Sequence, residues 1–294
     1  MSSRTRGFAW VSLSYLIALG AAAAVVLYSS RRFFLHPLCT TLLGTVVATV
    51  VIFVFSMIFK NVSFYDPYWS VQPMVIALYW IHLSEGVLTL KQLLILFCVS
   101  FWGVRLTVHW IRGWRGIEHE DWRYARFREE KPRQFSLIAF IGLEMMPTLL
   151  VFLGCLPLYP VLVLFPRGFG PFEGIAVAVS LGAAVIEFLS DRQMTVFQQR
   201  REVENAVMQK GLWSVSRHPN YFGEVSFWWG LSLFMFAGAS SWWWTVSGAC
   251  VITLLFLFVS IPLLEKRQIE KRPQYERYRK RVSMFIPWFS KSGA

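Results

Sequence analysis

Cysteine is scarce. Four thiols, Cys39, Cys98, Cys155 and Cys250, occur in 294 residues, and none stands in a Cys-x-x-Cys spacing. All four lie within or beside apolar runs, so they read as core thiols rather than disulfide partners or metal ligands. No metal is expected. No Gly-x-Gly-x-x-Gly follows a strand pattern either. The nearest string, GFGPFEG at Gly168–Gly174, has the wrong spacing and contains a proline, which excludes a Rossmann domain. Acidic residues are few, 17 against 29 Lys and Arg, for a formal net charge of +12. Neither an internal repeat nor a low-complexity segment interrupts the chain.

Apolar side chains are what the sequence has in abundance. Hydrophobic residues make up 55% and aromatics 17%, with a mean hydropathy of +0.48. That excludes an ordinary soluble domain and predicts an all-α, polytopic integral membrane protein. A spanning helix needs about 20 mostly apolar residues. By that measure the spans are Phe8–Tyr28, Cys39–Phe59, Trp69–Leu83, Leu90–Ile111, Ser136–Phe165, Pro171–Leu189, Phe222–Ala239 and Trp242–Leu264. The third is short, and the fifth is long and broken by Pro157 and Pro160. The expectation is about eight transmembrane helices, between seven and nine. The first run is too long for a cleavable signal peptide and is flanked by Arg31 and Arg32.

The basic residues orient the chain. The stretches Arg112–Gln134, Asp191–Pro219 and the segment after Leu264 hold 21 of the 29 Lys and Arg, and 11 of the 17 acids. Eight spans put all three on one side, which the positive-inside rule makes cytoplasmic. Arg31 and Arg32 fall on the other side. Part of this charge suits anionic membrane lipids. Nucleic acid is excluded as a partner, because the basic residues flank spans without a binding-fold pattern. The segment GWRGIEHEDWRYARFREE interleaves both charges with Trp and Tyr, which predicts a folded surface suited to a large polar anion.

Ionisable groups also lie within the apolar runs, where a charge costs about 2.5–3.5 kcal/mol on insertion scales. Arg105, His109 and Arg112 stand at i, i+4 and i+7, one stripe on one helix. Glu144 and Glu187 carry no motif and read as structural groups. In SRHPNYFGE, Ser216–Glu224, Pro219 fits the first turn of a helix that Ser216 or Asn220 can cap. Such a start offers N–H groups and the positive dipole end to an anion, with Arg217 and His218 beside it. Asn220, Tyr221 and Glu224 can hydrogen-bond a neutral group deeper in. An anionic tail and an amide-bearing ring describe a nicotinamide dinucleotide.

GLWSVSRHPNYFGE, YERYRKRVSMFIPWF and EHEDWRY together resemble the steroid 5-alpha-reductase-like superfamily of membrane reductases, and within it a bacterial, largely uncharacterised branch. The likeness covers roughly Asn61–Phe289, within a catalytic membrane domain of residues 61–294, and leaves residues 1–60 as a transmembrane region without signature. Isoprenylcysteine and phospholipid methyltransferases share a similar helix start. The reductases typically carry an acid directly after the glycine, and this chain has Gly223-Glu224.

The resemblance implies an NADPH site without a Rossmann fold. Asn220 and Glu224 would hold the nicotinamide carboxamide, Tyr221 would line the pocket, and Arg217 and His218 would approach the pyrophosphate or ribose. Asp191, Arg105, Arg112, Arg115, Arg123 and Tyr124 would contact the cofactor, and Arg267, Tyr275 and Tyr278 belong to the closing tail. Hydride would pass to an activated C=C of a lipophilic substrate such as a sterol, with a proton donor at the conjugated carbonyl. Asp66 matches the family's acid and, among Tyr65, Tyr68 and Trp69, is expected to have a raised pKa. It also reads as a plain turn residue before Pro67. Trp102 stands where the family's catalytic tyrosine would be, which leaves Tyr65, Tyr68 or His109 as second donor. An S-adenosylmethionine-dependent lipid methyltransferase is the alternative, and a scaffold without chemistry a third reading. The expected setting is the bacterial inner membrane, with cofactor site and C-terminus cytoplasmic.

Overall fold

The computed structural model of the protein describes residues 3–200 and 206–290. Among them the fold is all helical, with no strand. In chain order the main helices are α1 (Ser3–Phe33), α2 (Pro37–Ile58), α3 (Tyr68–Leu83), α4 (Leu90–Gly113) and α5 (Trp122–Glu130). They continue with α6 (Phe135–Cys155), α7 (Pro171–Gln199), α8 (Pro219–Gly238), α9 (Ser240–Lys271) and α10 (Tyr275–Arg281). Two of these are not regular throughout: α6 contains a π-helical segment at Ala139–Met145, and α9 another at Phe256–Ser260.

Among the described residues six helices are long and apolar enough to cross a membrane: α1, α2, α4, α6, α7 and α9. The other two expected spans, the third and the seventh, are also helices but fall below that measure. The third expected span is a helix of only 16 residues, about 24 Å at 1.5 Å per residue, against a hydrocarbon core of about 30 Å. The seventh, α8, has 20 residues, but its first turns carry Pro219, Asn220 and Glu224. The long fifth run resolves into α6 ending at Cys155, a turn at Leu156-Pro157, and a short π-helical piece at Pro160–Leu164.

The chain forms two compact units. The first comprises Met1–Gly86 with Trp102–Cys155, and the second Val87–Phe101 with Leu156–Ala294. Residues 1–60 thus share a unit with α3, α5 and α6. In the first unit, Pro37 at the first turn of α2 and the His36 imidazole, which accepts from Leu38 N at 3.2 Å, start that helix. It stops where Lys60 adopts φ 51°, a left-handed conformation that cannot continue a helix. The core of α1, α2 and the following turn contains Val11, Ala18, Ala48, Ile52, Phe64, Tyr65, Tyr68 and Trp114.

In the second unit, α7 and α8 lie against each other along small residues. A Cβ on Gly223 would sit 2.8 Å from Ala183 O, and one on Gly230 would sit 2.5 Å from Ser180 Oγ. Glycine at both positions, seven apart on one face, is what allows this approach. Pro171 begins α7, and Glu173 Oε2 reaches back to Gly170 N at 3.0 Å. Lys91 is buried in this unit and bonds the carbonyls of Phe165 (3.1 Å) and Arg167 (3.2 Å) beside Glu173.

Candidate functional sites in the two units

In the first unit the turn between α2 and α3 and the segment leading into α5 are sewn together. Asn61 Nδ2 donates to Ile117 O (2.6 Å) and His119 O (3.1 Å), and Glu120 Oε1 accepts from Val62 N (2.9 Å). Arg128 Nη2 bridges Glu120 (2.8 Å) and Lys60 O (3.0 Å), and the guanidinium carbon Cζ lies 4.0 Å from the centroid of the Phe135 ring. The mixed-charge segment is therefore a folded surface. Asp121 caps α5 through Arg123 N at 2.8 Å, and the Arg123 side chain folds back on the same carboxylate at 2.9 Å. Tyr124, buried, donates to Asp66 Oδ1 at 2.7 Å. Burial raises the Asp66 carboxyl to about 6, although the Tyr124 hydrogen bond and the Arg123 charge pull the other way. Burial likewise pushes the Tyr124 phenol well above its ordinary range.

Behind Asp66 lies a buried polar layer. Tyr65 is 2% exposed, and its hydroxyl is 2.9 Å from Thr148 Oγ1. The Thr148 hydroxyl donates to Glu144 O at 2.9 Å, which makes Tyr65 the donor. Thr49 Oγ1 stands 2.7 Å from Thr148 Oγ1, and Gln72 Nε2 donates to Thr148 O at 3.2 Å. Glu144 is fully buried on α6. Its carboxyl group faces the Ser56 hydroxyl, and Gln72 Oε1 is buried without a hydrogen bond. Next to this layer a cavity of about 540 Å³ opens among α1, α2 and α3, with Leu19, Ala22, Ala48 and Ile76 in its apolar wall and Tyr68 and Gln72 in its polar one.

The remaining residues expected in this unit are spread along α4 and beyond. Arg105 is partly buried, whereas His109, Arg112, Arg115 and Arg123 are exposed. Trp102 is fully buried, its ring 5.8 Å from Trp69, so it serves as core.

The second unit gathers the SRHPNYFGE motif and the tail. His218, not Ser216 or Asn220, is the residue at the start of α8, and no side chain caps the helix. The Ser216 hydroxyl accepts from His218 N at 3.2 Å and donates to Phe285 O at 2.8 Å. A distant segment thus takes the group that local reading made a cap. Arg217 is 8% exposed. Its Nε donates to Glu265 Oε1 at 2.6 Å, its Nη1 to the carbonyls of Arg279 and Val282 at 2.7 Å each, and its backbone N to Ser283 O at 2.8 Å. His218 Nε2 lies 3.1 Å from the same Glu265 oxygen, and Tyr275 OH lies 3.4 Å from it. Burial holds the His218 imidazole below its ordinary range, against the pull of Glu265. Tyr278 OH donates to Trp213 O at 2.5 Å, and burial pushes both tail phenols above their usual range.

Around this cluster Arg217, His218, Arg272, Tyr275 and Tyr278 wall a cavity of about 80 Å³. That is far below the range of about 300–1,000 Å³ for a site enclosing a whole small molecule, so it suits a small group and not a dinucleotide. Deeper on α8, Glu224 is 5% exposed and accepts from Trp228 Nε1 at 2.8 Å. Asn220 lies four residues before it, hence on the same face, and Tyr221 stacks on His218 with ring centroids 5.5 Å apart. Asp191 on α7 and Arg267 on α9 are partly buried. The structure therefore joins Arg217, His218, Tyr275 and Tyr278 in one network. Its hub, Glu265, was not among the residues singled out from sequence. The available signal was its position, the first acid after the last apolar run and directly before Lys266-Arg267.

No solved structure matches the chain. An uncharacterised protein of the fission yeast Schizosaccharomyces pombe (strain 972) is 27% identical over 286 residues, which covers 88% of this chain and 81% of that protein. The family model described as protein of unknown function DUF1295 matches residues 52–282, from the last two turns of α2 to the end of α10. The chain therefore belongs to the DUF1295 family.

Proposed function

We propose that the protein is an NADPH-dependent membrane reductase that saturates an activated C=C of a lipophilic substrate. The observation that carries this reading is the start of α8. An uncapped helix start is followed within two turns by Asn220 and the buried acid Glu224 on one face, the residue pair that the resemblance assigns to a carboxamide. DUF1295 is a family related to steroid 5-alpha-reductase, which supports the same reaction class.

The donor set beside the helix start suits an anionic group. His218, Arg272, Tyr275 and Tyr278 line the small cavity there; the Tyr278 hydroxyl is held by Trp213 O and that of Tyr275 lies against Glu265, so the Arg272 guanidinium is the group it offers an anion. Arg217 acts there through the tail, which it anchors by three side-chain bonds. When bound, the dinucleotide would supply the hydride. The chain's own task at Glu224 is orientation. Trp228 fixes one carboxylate oxygen, so that the group accepts an N–H from a defined direction. In the first unit, Asp66 supplies an acid whose pKa of about 6 lies near the range in which a side chain both holds and releases a proton.

Glu224→Gln tests the reading. The exchange replaces an acceptor oxygen with a donor and leaves a polar group unpaired, at about 1–3 kcal/mol. NADPH affinity should fall about 5- to 150-fold. Adenosine 2′,5′-bisphosphate, which lacks the nicotinamide, should bind as before. Unchanged NADPH binding in the variant, or tight S-adenosylmethionine binding by the wild type, would sink the proposal and favour a methyltransferase.

A further inference from the structure

The tail that clamps Arg217 has a second face. Residues 283–288 lie along 215–217 through three bonds. Arg217 N donates to Ser283 O at 2.8 Å, the Ser216 hydroxyl to Phe285 O at 2.8 Å, and Trp288 N to Val215 O at 2.9 Å. Phe285 turns inward onto Phe222, with ring centroids 5.7 Å apart. Met284, Ile286, Trp288 and Phe289 turn outward, Trp288 being 69% and Phe289 85% exposed. In α10, just before them, Arg279 is taken by Glu265 and Glu276. Arg277, Lys280 and Arg281 are exposed and have no carboxylate partner among the described residues.

This face sits at a definite depth. Arg217, and with it the tail, is tied to Glu265 at 2.6 Å. Glu265 stands 21 residues after Trp244 on the spanning helix α9. At 1.5 Å per residue that is about 32 Å, close to the thickness of a hydrocarbon core of about 30 Å. Trp243 and Trp244 are exposed at the far end, and Val251, Leu254, Phe258 and Leu263 along the way. Tryptophan gathers at both water boundaries of a bilayer. With Trp243 and Trp244 at one boundary, the tail lies at the other and brings Trp288 to it.

Charge selects the occupant. An apolar strip beside three cations without a carboxylate fits the headgroup layer of an anionic bilayer, where rings enter and cations meet phosphates. A second copy of this chain, with its net charge of +12, would bring like charge to the strip.

We propose that Met284–Phe289 is an interfacial anchor that docks on anionic lipid, and that docking holds closed the clamp on Arg217 at the start of α8. This goes beyond the proposed function and does not depend on it, since neither cofactor nor substrate enters its test.

The test uses the full chain, one copy per nanodisc, in phosphatidylcholine alone or in an equal mixture with phosphatidylglycerol. A nitroxide at Ile286→Cys, with Cys39 and Cys250 replaced by serine, reports depth through its collisions with oxygen and with a water-soluble nickel chelate. A second label at Glu270→Cys, an exposed position, gives the aqueous reference. In the mixed disc the label at 286 should meet oxygen more often than the chelate, the reverse of the label at 270. Hydrogen exchange at the Arg217 amide, whose acceptor is Ser283 O, reads the clamp. It should be about 5- to 150-fold slower in the mixed disc than in phosphatidylcholine, the factor for one to three basic groups at an anionic surface. Replacing Arg277, Lys280 and Arg281 by glutamine should remove that difference. Chelate access at 286 equal to that at 270 overturns the anchor. Equal exchange in the two discs overturns its hold on Arg217, and a difference that survives the triple change overturns the role given to charge. Shielding seen only in discs loaded with two copies overturns the proposal in favour of a contact between chains.

Discussion

The Tyr124 phenol donates a 2.7 Å hydrogen bond to Asp66, and so joins the first turn of α5 to the turn before α3 across 58 positions of sequence. This bond opposes the effect of burial on the carboxyl. It favours the charged form, while loss of solvent favours the neutral one.

Asp66 should therefore titrate visibly. Its folded pKa of about 6 lies above the ordinary 3.8, so the stability linked to its proton is complete below pH 4 and disappears as pH rises through about 6. Infrared titration should show a protonated carboxyl band lost near pH 6 and absent in Asp66→Asn. In Tyr124→Phe the midpoint should move upward. A midpoint that stays put would mean the phenol does not act on the carboxyl.

Removing Glu265 should loosen the tail. Breaking a buried pair by deleting one partner costs about 3–5 kcal/mol, and Arg217 would be left among carbonyls without its counter-charge. Glu265→Ala should lower the thermal midpoint in detergent and expose the segment after Lys271 to protease. Arg217→Met combined with Glu265→Leu should cost less than the sum of the two single changes. Additive losses would show that the two side chains do not act as a pair.

If the three basic stretches share the cytosol, a reporter fused to the C-terminus and one inserted near Arg128 will both read cytoplasmic. Opposite readings would overturn the orientation drawn from charge.

The arginines of the first unit should distinguish the two nicotinamide cofactors. Guanidinium groups pair well with a 2′-phosphate, so charge-removing changes at Arg115 and Arg123 should weaken NADPH binding more than NADH binding. Equal loss for both would assign these side chains to the fold or to lipid headgroups. For Arg123 that outcome has a partner at hand in Asp121.

Helix class and most helix positions were legible because apolar runs and prolines act locally. The failures share a cause in long-range contact. Ser216 reads as a cap until Phe285, 69 positions later, takes its hydroxyl. Glu265 is an unremarked acid until Arg217, His218 and Tyr275 converge on it. The buried Glu144 was visible in sequence, but its placement beside Ser56, 88 positions earlier, was not. The π-helical segments leave no periodic trace at all. The division into two units could not be read because it falls inside the continuous helix α4, between Phe101 and Trp102.

The carbonyl partners that fix Arg217 stand 62 to 66 positions after it, so they are made well after it. While the ribosome still holds those residues, the start of α8 has neither its backbone acceptor at Ser283 nor its carbonyl clamp. The helix can form early, but its start is completed only after residues 279–283 have left the ribosome. A bulky fusion placed directly after Phe289 would therefore interfere with maturation before it interfered with any folded molecule.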